Sequence, residues 1–217
     1  MSKKNKDNIF LFSNTAWSIY NFRSDLIEYL NSLNYNIILI SNNEGQKTNI
    51  DESIFKQIKL NFKSQSLNFF LDIFPMLKLF YFFLYYRPKV LLSFTIKPNI
   101  YGALICRITK TKQVANITGL GRSIKKNIII NYLILFLYRI SFKNIHHIFF
   151  QNKSDLQYFK KRNLLGKKNY SHIYGSGVNL KKFINTKLPI EDPKSFLMAS
   201  RIIREKGVIE YLEAVKQ

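Results

Sequence analysis

This chain of 217 residues carries a single cysteine, Cys106. An intramolecular disulfide is therefore excluded, which suits a reducing cytoplasm. Cys106 lies in the apolar helical stretch ALICRI, where a thiol serves as a small core residue rather than a nucleophile. Acidic side chains are scarce: 13 Asp and Glu stand against 34 Lys and Arg, a formal net charge of +21. A field of that sign favours anionic partners, whether sugar nucleotides, an acidic membrane surface or nucleic acid. Heavy use of Lys, Asn and Ile, which share A/T-rich codons, would give the same excess with no partner at all. Nucleic-acid binding is not expected, because it needs basic residues clustered with stacking aromatics on one face. Here Lys is dispersed and most aromatics read as core.

Long uncharged apolar runs are missing as well. The basic start MSKKNKDN is followed by only IFLF, shorter than a signal-peptide core of roughly seven residues or more. Ser66–Tyr86 is rich in aromatics but broken by Asp72, Pro75 and Lys78, and Asn127–Leu137 stops short of Arg139. Neither matches the roughly 20 apolar residues of a spanning helix. Such segments read as buried or half-buried helices, or as interfacial helices lying in a headgroup layer. Metal-ligating groups are few: His146 and His147 are adjacent at the entry of a strand, and Cys106 does not converge on them, so no metal is expected. No Ser-His-Asp arrangement and no paired carboxylates at strand ends stand out, and no catalytic base is assigned.

What the chain does have is alternation. Strands are expected at Asn8–Ser13, Asn36–Ser41, Ile54–Phe62, Val90–Phe94, Gln113–Ile117, His147–Gln151 and Ser171–Tyr174. Helices are expected at Trp17–Leu33, Leu67–Tyr86, Asn99–Ile108, Ile124–Phe142 and Lys153–Asn163. In the first helix the apolar stripe is Ile19, Phe22, Leu26, Ile27, Leu30 and Leu33. Pro75 should interrupt or kink the second helix, Arg87-Pro88 should end it, Pro98 suits the first position of the third, and Ser154 could cap the fifth. Strands joined by crossover helices make an α/β, Rossmann-like, doubly wound parallel sheet. The strands lack polar alternation, as expected when both faces are covered. Ligands then sit at the carboxyl ends of the strands, in the turns after Ser13, Phe94, Ile117, Gln151 and Tyr174.

Those turns carry the candidate chemistry. Lys97 stands near a helix N-terminus, where a cation is disfavoured unless an anion is close, although a solvated loop lysine reads equally well. Gly119 and Gly121 allow close backbone approach to an anion, as do Gly175 and Gly177, and each pair could equally be a tight turn. Asn185–Lys194, with two prolines, reads as a linker. Beyond it, Ser195–Gln217 reads as an apolar strand, a turn with Arg201, Arg204 and Lys206, then Gly207 and a helix. Two cations between a strand and a helix suit a diphosphate.

The segments FTIKPNIYG (Phe94–Gly102), VANITGLG (Val114–Gly121), FFQNKSDLQYF (Phe149–Phe159), GSGVNLKKF (Gly175–Phe183) and SRIIREKGVIEYLEA (Ser200–Ala214) resemble, in order and spacing, the family-four retaining glycosyltransferases of the GT-B fold. NTAWSIYNFR (Asn14–Arg23) looks like the first loop of the bacterial branch that extends undecaprenyl-diphosphate-linked sugars for capsule, O-antigen or glycoprotein glycans. The resemblance implies an acceptor-binding N-terminal domain over residues 1–184, a linker over 185–194 and the first strand-helix unit of a donor-binding domain over 195–217. It implies that Arg201 and Lys206 bind the donor diphosphate, approached also by the backbone of Thr15 and Ala16. Asn14, Lys97, Asn99, Thr118 and Gly119 would line the acceptor side. A nucleotide-sugar, UDP-linked, is the implied donor substrate, with no further cofactor. The implied location is the inner face of the plasma membrane, held peripherally on its anionic surface. Thr118 stands where many relatives have histidine, the first-loop glycine pair is missing, and the glutamate pair of the second domain is not in the chain. The expectation is therefore a hexosyl or N-acetylhexosaminyl transferase that is incomplete and inactive as this chain alone. The alternative is a non-catalytic acceptor- or membrane-binding subunit completed by a separate donor-domain polypeptide.

Overall fold

The computed structural model describes residues 6–42, 53–62, 69–120, 128–166, 169–181, 183–186, 195–200 and 202–216. Seven strands form one sheet: β1 (Asn8–Thr15), β2 (Asn36–Asn42), β3 (Lys56–Lys59), β4 (Val90–Phe94), β5 (Lys112–Ile117), β6 (His147–Phe150) and β7 (Tyr170–His172). Their order is β3-β2-β1-β4-β5-β6-β7. Every neighbouring pair is parallel. The sheet is thus the doubly wound, Rossmann-like α/β architecture that alternation implies. The chain winds outward from β1 to β3, returns to β4, and winds the other way to β7. All the strands point their carboxyl ends to one edge.

The helices are α1 (Ala16–Ser32), α2 (Ile73–Tyr86), α3 (Ile96–Thr109), α4 (Ile128–Ser141) and α5 (Lys153–Lys161). Successive strand residues face opposite sides, and two apolar clusters follow. Phe10, Phe12, Ile38 and Leu91 pack with α2, α3, α4 and α5 on one side. Ile9, Leu11, Ile37, Leu39 and Phe94 pack with α1 on the other. Gly102 shows how close α3 lies to the sheet: a Cβ there would meet Leu91 Cδ2 at 2.5 Å and Gln113 Nε2 at 3.2 Å.

Several local expectations are corrected. The α1 stripe is narrower than the apolar pattern suggests: the residues it buries are Ile19, Arg23 and Ile27, while Phe22 and Leu33 are exposed. Four-residue spacing keeps those three on one line, and the helix meets the sheet along that line. Pro75 does not kink α2, because the helix starts only at Ile73 after a 3₁₀ turn over Phe69–Asp72. Pro75 is its third residue, where an N–H would have no intrahelical partner. Pro98 likewise is the third residue of α3 rather than the first. Arg87, at φ 44°, closes α2 before Pro88. Asn152 rather than Ser154 caps α5: its extended backbone lets Oδ1 accept from the Asp155 N–H at 2.7 Å. β3 is shorter than Ile54–Phe62, and β7 begins one residue earlier than Ser171.

The second face is only partly covered. Leu92, Val114 and Phe149 stay half-buried on the α1 side of β4, β5 and β6. Aromatic side chains are also less buried than the sequence suggests. Phe74, Tyr81 and Tyr85 on α2, and Tyr132 and Phe136 on α4, are exposed.

The chain divides into two compact units, Met1–Asn179 and Leu180–Gln217. In the second, residues 195–200 form no strand. The apolar strand expected there is therefore not formed among the described residues. A 3₁₀ turn over Arg204–Lys206 leads through Gly207, at φ 74°, into α6 (Val208–Val215). Tyr211 Oη donates to the Phe196 carbonyl at 2.8 Å within this unit. No residue of α6 is buried. Residues 187–194, most of the expected linker, lie outside the described residues.

Candidate functional site

The site is the carboxyl edge of the sheet where β1 and β4 lie side by side and the winding reverses. Open α/β sheets bind ligands in the crevice outside such a switch point. The described loops after β1, β4, β5, β6 and β7 all reach this edge, since every strand is parallel. Gln151 Nε2 donates to Ser176 Oγ at 3.2 Å, and Asn179 Nδ2 donates to Asp25 Oδ1 on α1 at 2.9 Å. The GSGVN turn is thereby tied both to β6 and to α1.

Asn14, the last residue but one of β1, has its Oδ1 buried and unpartnered. Thr15 is the N-cap of α1, and its Oγ1 accepts from the Ser18 N–H at 3.2 Å. Ala16 opens the helix beside the N–H groups that an α-helix leaves without internal partners. Ser13 Oγ and Ser18 Oγ share a hydrogen bond of 2.8 Å, holding β1 to α1.

After β4 the backbone is strained. Thr95 has φ 74° and ψ 169°, caps α3 without a side-chain hydrogen bond, and leaves its Oγ1 buried and unpartnered. A β-branched residue at positive φ is an outlier, and such outliers cluster at ligand sites. Asn99 holds the next layer: its Oδ1 accepts from Ser93 Oγ at 2.8 Å and its Nδ2 donates to the Asn116 carbonyl at 3.1 Å. Asn99 therefore staples β4 to β5. Asn116 itself is buried, with Oδ1 unpartnered. Thr118 is exposed, and Gly119 follows at φ 151° with nothing within 4 Å of where a Cβ would lie. The space over that turn is open.

Lys97 faces inward. Its ammonium forms an ion pair with Asp72 at side-chain exposures of 3% and 2%, and Tyr101 Oη donates to the same carboxylate oxygen at 2.5 Å. Burial pushes the Tyr101 phenol well above its usual range, and the hydrogen bond to Asp72 adds to the shift. The pair locks the start of α3 to the turn before α2, behind the edge rather than in its open space. Cys106 is a buried free thiol whose titration burial also pushes up, which suits a core residue. His147 enters β6 at the opposite edge, where its Nε2 meets Ser171 Oγ at 3.1 Å. Among the described residues no group of three metal-ligating side chains converges.

In the second unit Lys206 is exposed on the 3₁₀ turn, its N–H bonded to the Ile203 carbonyl at 2.9 Å. Arg201, Gly121 and Arg122 lie outside the described residues.

Four contributors escaped sequence reasoning: Arg23, Asp72, Thr95 and Asn116. Arg23 left a signal, since it stands four residues from both Ile19 and Ile27 on an otherwise apolar line. The other three left none, because their roles arise from pairings between distant elements. A cavity of about 450 Å³ also lies at the amino edge, lined by Arg107, Lys110, Lys112 and His146 among others. Arg107 and Lys110 there complement the negative C-terminal end of α3, so no ligand is needed to explain them.

A seven-stranded, wholly parallel sheet with helices on its faces is the Rossmann-like architecture of one half of a GT-B-type glycosyltransferase fold. The model of the Glycosyl transferase 4-like family matches residues 8–152, and the chain belongs to that family. It is 29% identical over 233 aligned positions to the N,N'-diacetylbacillosaminyl-diphospho-undecaprenol alpha-1,3-N-acetylgalactosaminyltransferase of Campylobacter jejuni, covering 95% of this chain and 59% of that protein. The chain thus spans 59% of the length of that relative. Among solved structures, a glycosyltransferase from Rickettsia africae superposes with a TM-score of 0.62 at 17% identity, over 83% of this chain and 45% of that one. A sucrose-phosphate synthase from Thermosynechococcus elongatus gives 0.58 at 12% identity, over 81% and 49%. At those identities the likeness speaks for the fold.

Proposed function

We propose that this chain carries the acceptor side of a glycosyltransferase that moves a hexosyl or N-acetylhexosaminyl group from a UDP-sugar onto an undecaprenyl-diphosphate-linked saccharide. The observation that carries this reading is the row of hydrogen-bond acceptors left unpartnered along the carboxyl edge: Asn14 Oδ1, Thr95 Oγ1 and Asn116 Oδ1. Buried acceptors without donors are unfavourable, and a saccharide brings a dense array of hydroxyl donors. The Campylobacter relative is by name an N-acetylgalactosaminyltransferase acting on a diphospho-undecaprenol acceptor, which supports the same substrate class. Thr118 and Gly119 would flank that acceptor, and the amides at Thr15 and Ala16 would approach a phosphate. Arg201 and Lys206 would serve the donor diphosphate.

A lipid-borne acceptor also needs a lipid surface. α2 and α4 both pack against α3, in the layer on one face of the sheet. The exposed aromatics of α2 and α4 form the apolar side of an interfacial helix pair, and the net charge of +21 attracts an anionic bilayer. No described helix is long and apolar enough to cross a membrane. The chain is accordingly proposed to dock peripherally on the leaflet that presents the acceptor.

The test uses the purified chain, an undecaprenyl-diphosphate saccharide in detergent, and the same lipid without its saccharide. Tighter binding of the glycosylated lipid is expected; equal or absent binding sinks the proposal. Transfer from UDP-sugars, measured with the chain alone and with an added donor-domain polypeptide, separates a self-sufficient enzyme from an acceptor-holding subunit.

A further inference from the structure

Arg23 is the anomaly of α1. It is 9% exposed, on the line between Ile19 and Ile27 that packs against the sheet. No carboxylate reaches it: the ion pairs among the described residues are Lys89–Asp7 and Lys97–Asp72. Its Nη1 donates to the Phe22 carbonyl at 2.6 Å. Of the five N–H donors of a guanidinium, no other has a protein partner among the described residues. Its Cζ lies 4.8 Å from the ring centroid of Phe94. A cation taken out of water with no counter-charge is unfavourable, and burial accordingly lowers the proton affinity of this guanidinium.

The surroundings show what would relieve it. Phe94 is the last residue of β4, at the switch point, and pairs in register with Asn116 of β5. Parallel partners in register face the same side of the sheet, which here is the side of α1. Asn116 brings there a buried Oδ1 that lacks a donor. The neighbouring hydroxyl on that side, Ser13, is already engaged with Ser18. Leu92 and Val114 are half-buried on the same face, so access is not closed by packing. The edge therefore offers one unpaired fork of N–H donors and one empty acceptor, around an aromatic floor. A ligand that satisfies both carries an anion next to a hydroxyl or amide donor.

We propose that Arg23 is the diphosphate-binding cation of this edge, holding a phosphate oxygen over the ring of Phe94 while Asn116 Oδ1 accepts from a hydroxyl of the attached sugar. A glycosyl diphosphate has that chemistry, whether borne by a lipid or by a nucleotide. The choice of ligand rests on the transferase reading; the unpaired cation does not.

The test is ligand-dependent thermal stability and titration of the purified chain with inorganic pyrophosphate, a short-chain prenyl-diphosphate N-acetylhexosamine, and UDP-N-acetylhexosamine. Wild type should gain stability with a diphosphate ligand. Arg23→Met should melt no lower than wild type without ligand, because the buried charge is gone. It should lose the ligand-dependent gain and bind roughly 10- to 100-fold more weakly. Arg23→Lys, which keeps the charge but not the fork, should fall between them. Response to the prenyl compound assigns the lipid as the source, and response to the UDP compound assigns the donor. Either supports the proposal if it disappears with Arg23. A merely structural plug predicts the opposite: Arg23→Met melts well below wild type and keeps the full ligand response. That result, a wild type indifferent to all three ligands, or failure of both variants to fold overturns the proposal. If pyrophosphate binding needs Arg23 but the sugar adds nothing, Arg23 stands and the acceptor reading fails.

Discussion

The ammonium of Lys97 and the carboxylate of Asp72 meet across two different helix starts, almost fully removed from water. Replacing Asp72 takes a buried carboxylate away from the buried Lys97 ammonium. Asp72→Asn should lower unfolding free energy by about 3–5 kcal/mol, while the double variant Asp72→Leu with Lys97→Met should recover most of that loss. Urea unfolding midpoints of the single and double variants measure it; equal destabilisation by both would show that the pair is not the cause. The buried acids make a second prediction. Cys106, Tyr101 and Tyr138 all have their titrations pushed up by burial. A folded value above the unfolded one means the unfolded chain releases its proton first as pH rises. Stability is then full below the unfolded values, about 8.5 for a thiol and about 10 for a phenol, and declines above them. The slope approaches about 1.4 kcal/mol per pH unit for each group released. Cys106→Ala should remove the decline between about pH 8.5 and 10 and leave the steeper one above it. Guanidinium unfolding across that range checks the order. At this scale the sequence is least legible. Lys97 stood out as a cation at a helix start, but its partner is 25 residues away and packing alone brings them together. Arg23 was readable as a charge on an apolar line, whereas Asn116 looks like any strand residue until its neighbours are known.

Elements follow local rules more closely, and their starts test those rules. Asn152 accepts from the third N–H of α5, so Asn152→Ala should cost about 1 kcal/mol and Asn152→Ser should restore most of it. Ser154, which donates to the same Oδ1 at 2.8 Å, should tolerate alanine better. In α3 two effects compete at Gly102. Alanine gains about 1 kcal/mol of helix propensity. Overpacking costs about 1–3 kcal/mol, and here a Cβ would sit 2.5 Å from a buried leucine. The clash prevails, so Gly102→Ala should destabilise, and valine at the same position should do so more strongly; thermal melts decide. A stabilised Gly102→Ala would mean that α3 rides further from the sheet. Strands and helices were legible as a series because apolar period distinguishes them. Their ends were less so. A proline inside an apolar run implies an interruption or a kink, whereas at Pro75 the preceding 3₁₀ turn puts the helix start only two residues before it.

At the scale of the whole molecule, alternation of strand and helix implied a parallel sheet, and right-handed crossovers fix its helices to faces. It could not say that, among the described helices, only α1 would pack on the second face, since cover depends on where the winding reverses. Nor could composition separate exposed from buried aromatics, because a stripe at four-residue spacing looks the same whichever way it points. Phe74, Tyr81 and Tyr85 on α2, and Ile128, Tyr132 and Phe136 on α4, point outward. The charged residues within those two helices are Lys78 and Arg139, both basic. The attraction to an anionic bilayer proposed above would then have two parts that salt separates. The electrostatic part is worth about 1 kcal/mol for each Lys or Arg near the surface and is screened over about 8 Å at physiological ionic strength. Burial of aromatic surface in the headgroup layer is not screened. Co-sedimentation with phosphatidylglycerol vesicles should therefore be strong at low salt and fall to a lower plateau as salt rises. Replacing Phe74, Tyr85 and Phe136 with serine should abolish the plateau and spare low-salt binding. Lys78→Glu with Arg139→Glu should weaken low-salt binding and spare the plateau. A chain that stays in the supernatant at low salt, or a triple variant that keeps the plateau, would separate this face from the membrane and leave acceptor capture to the carboxyl edge alone.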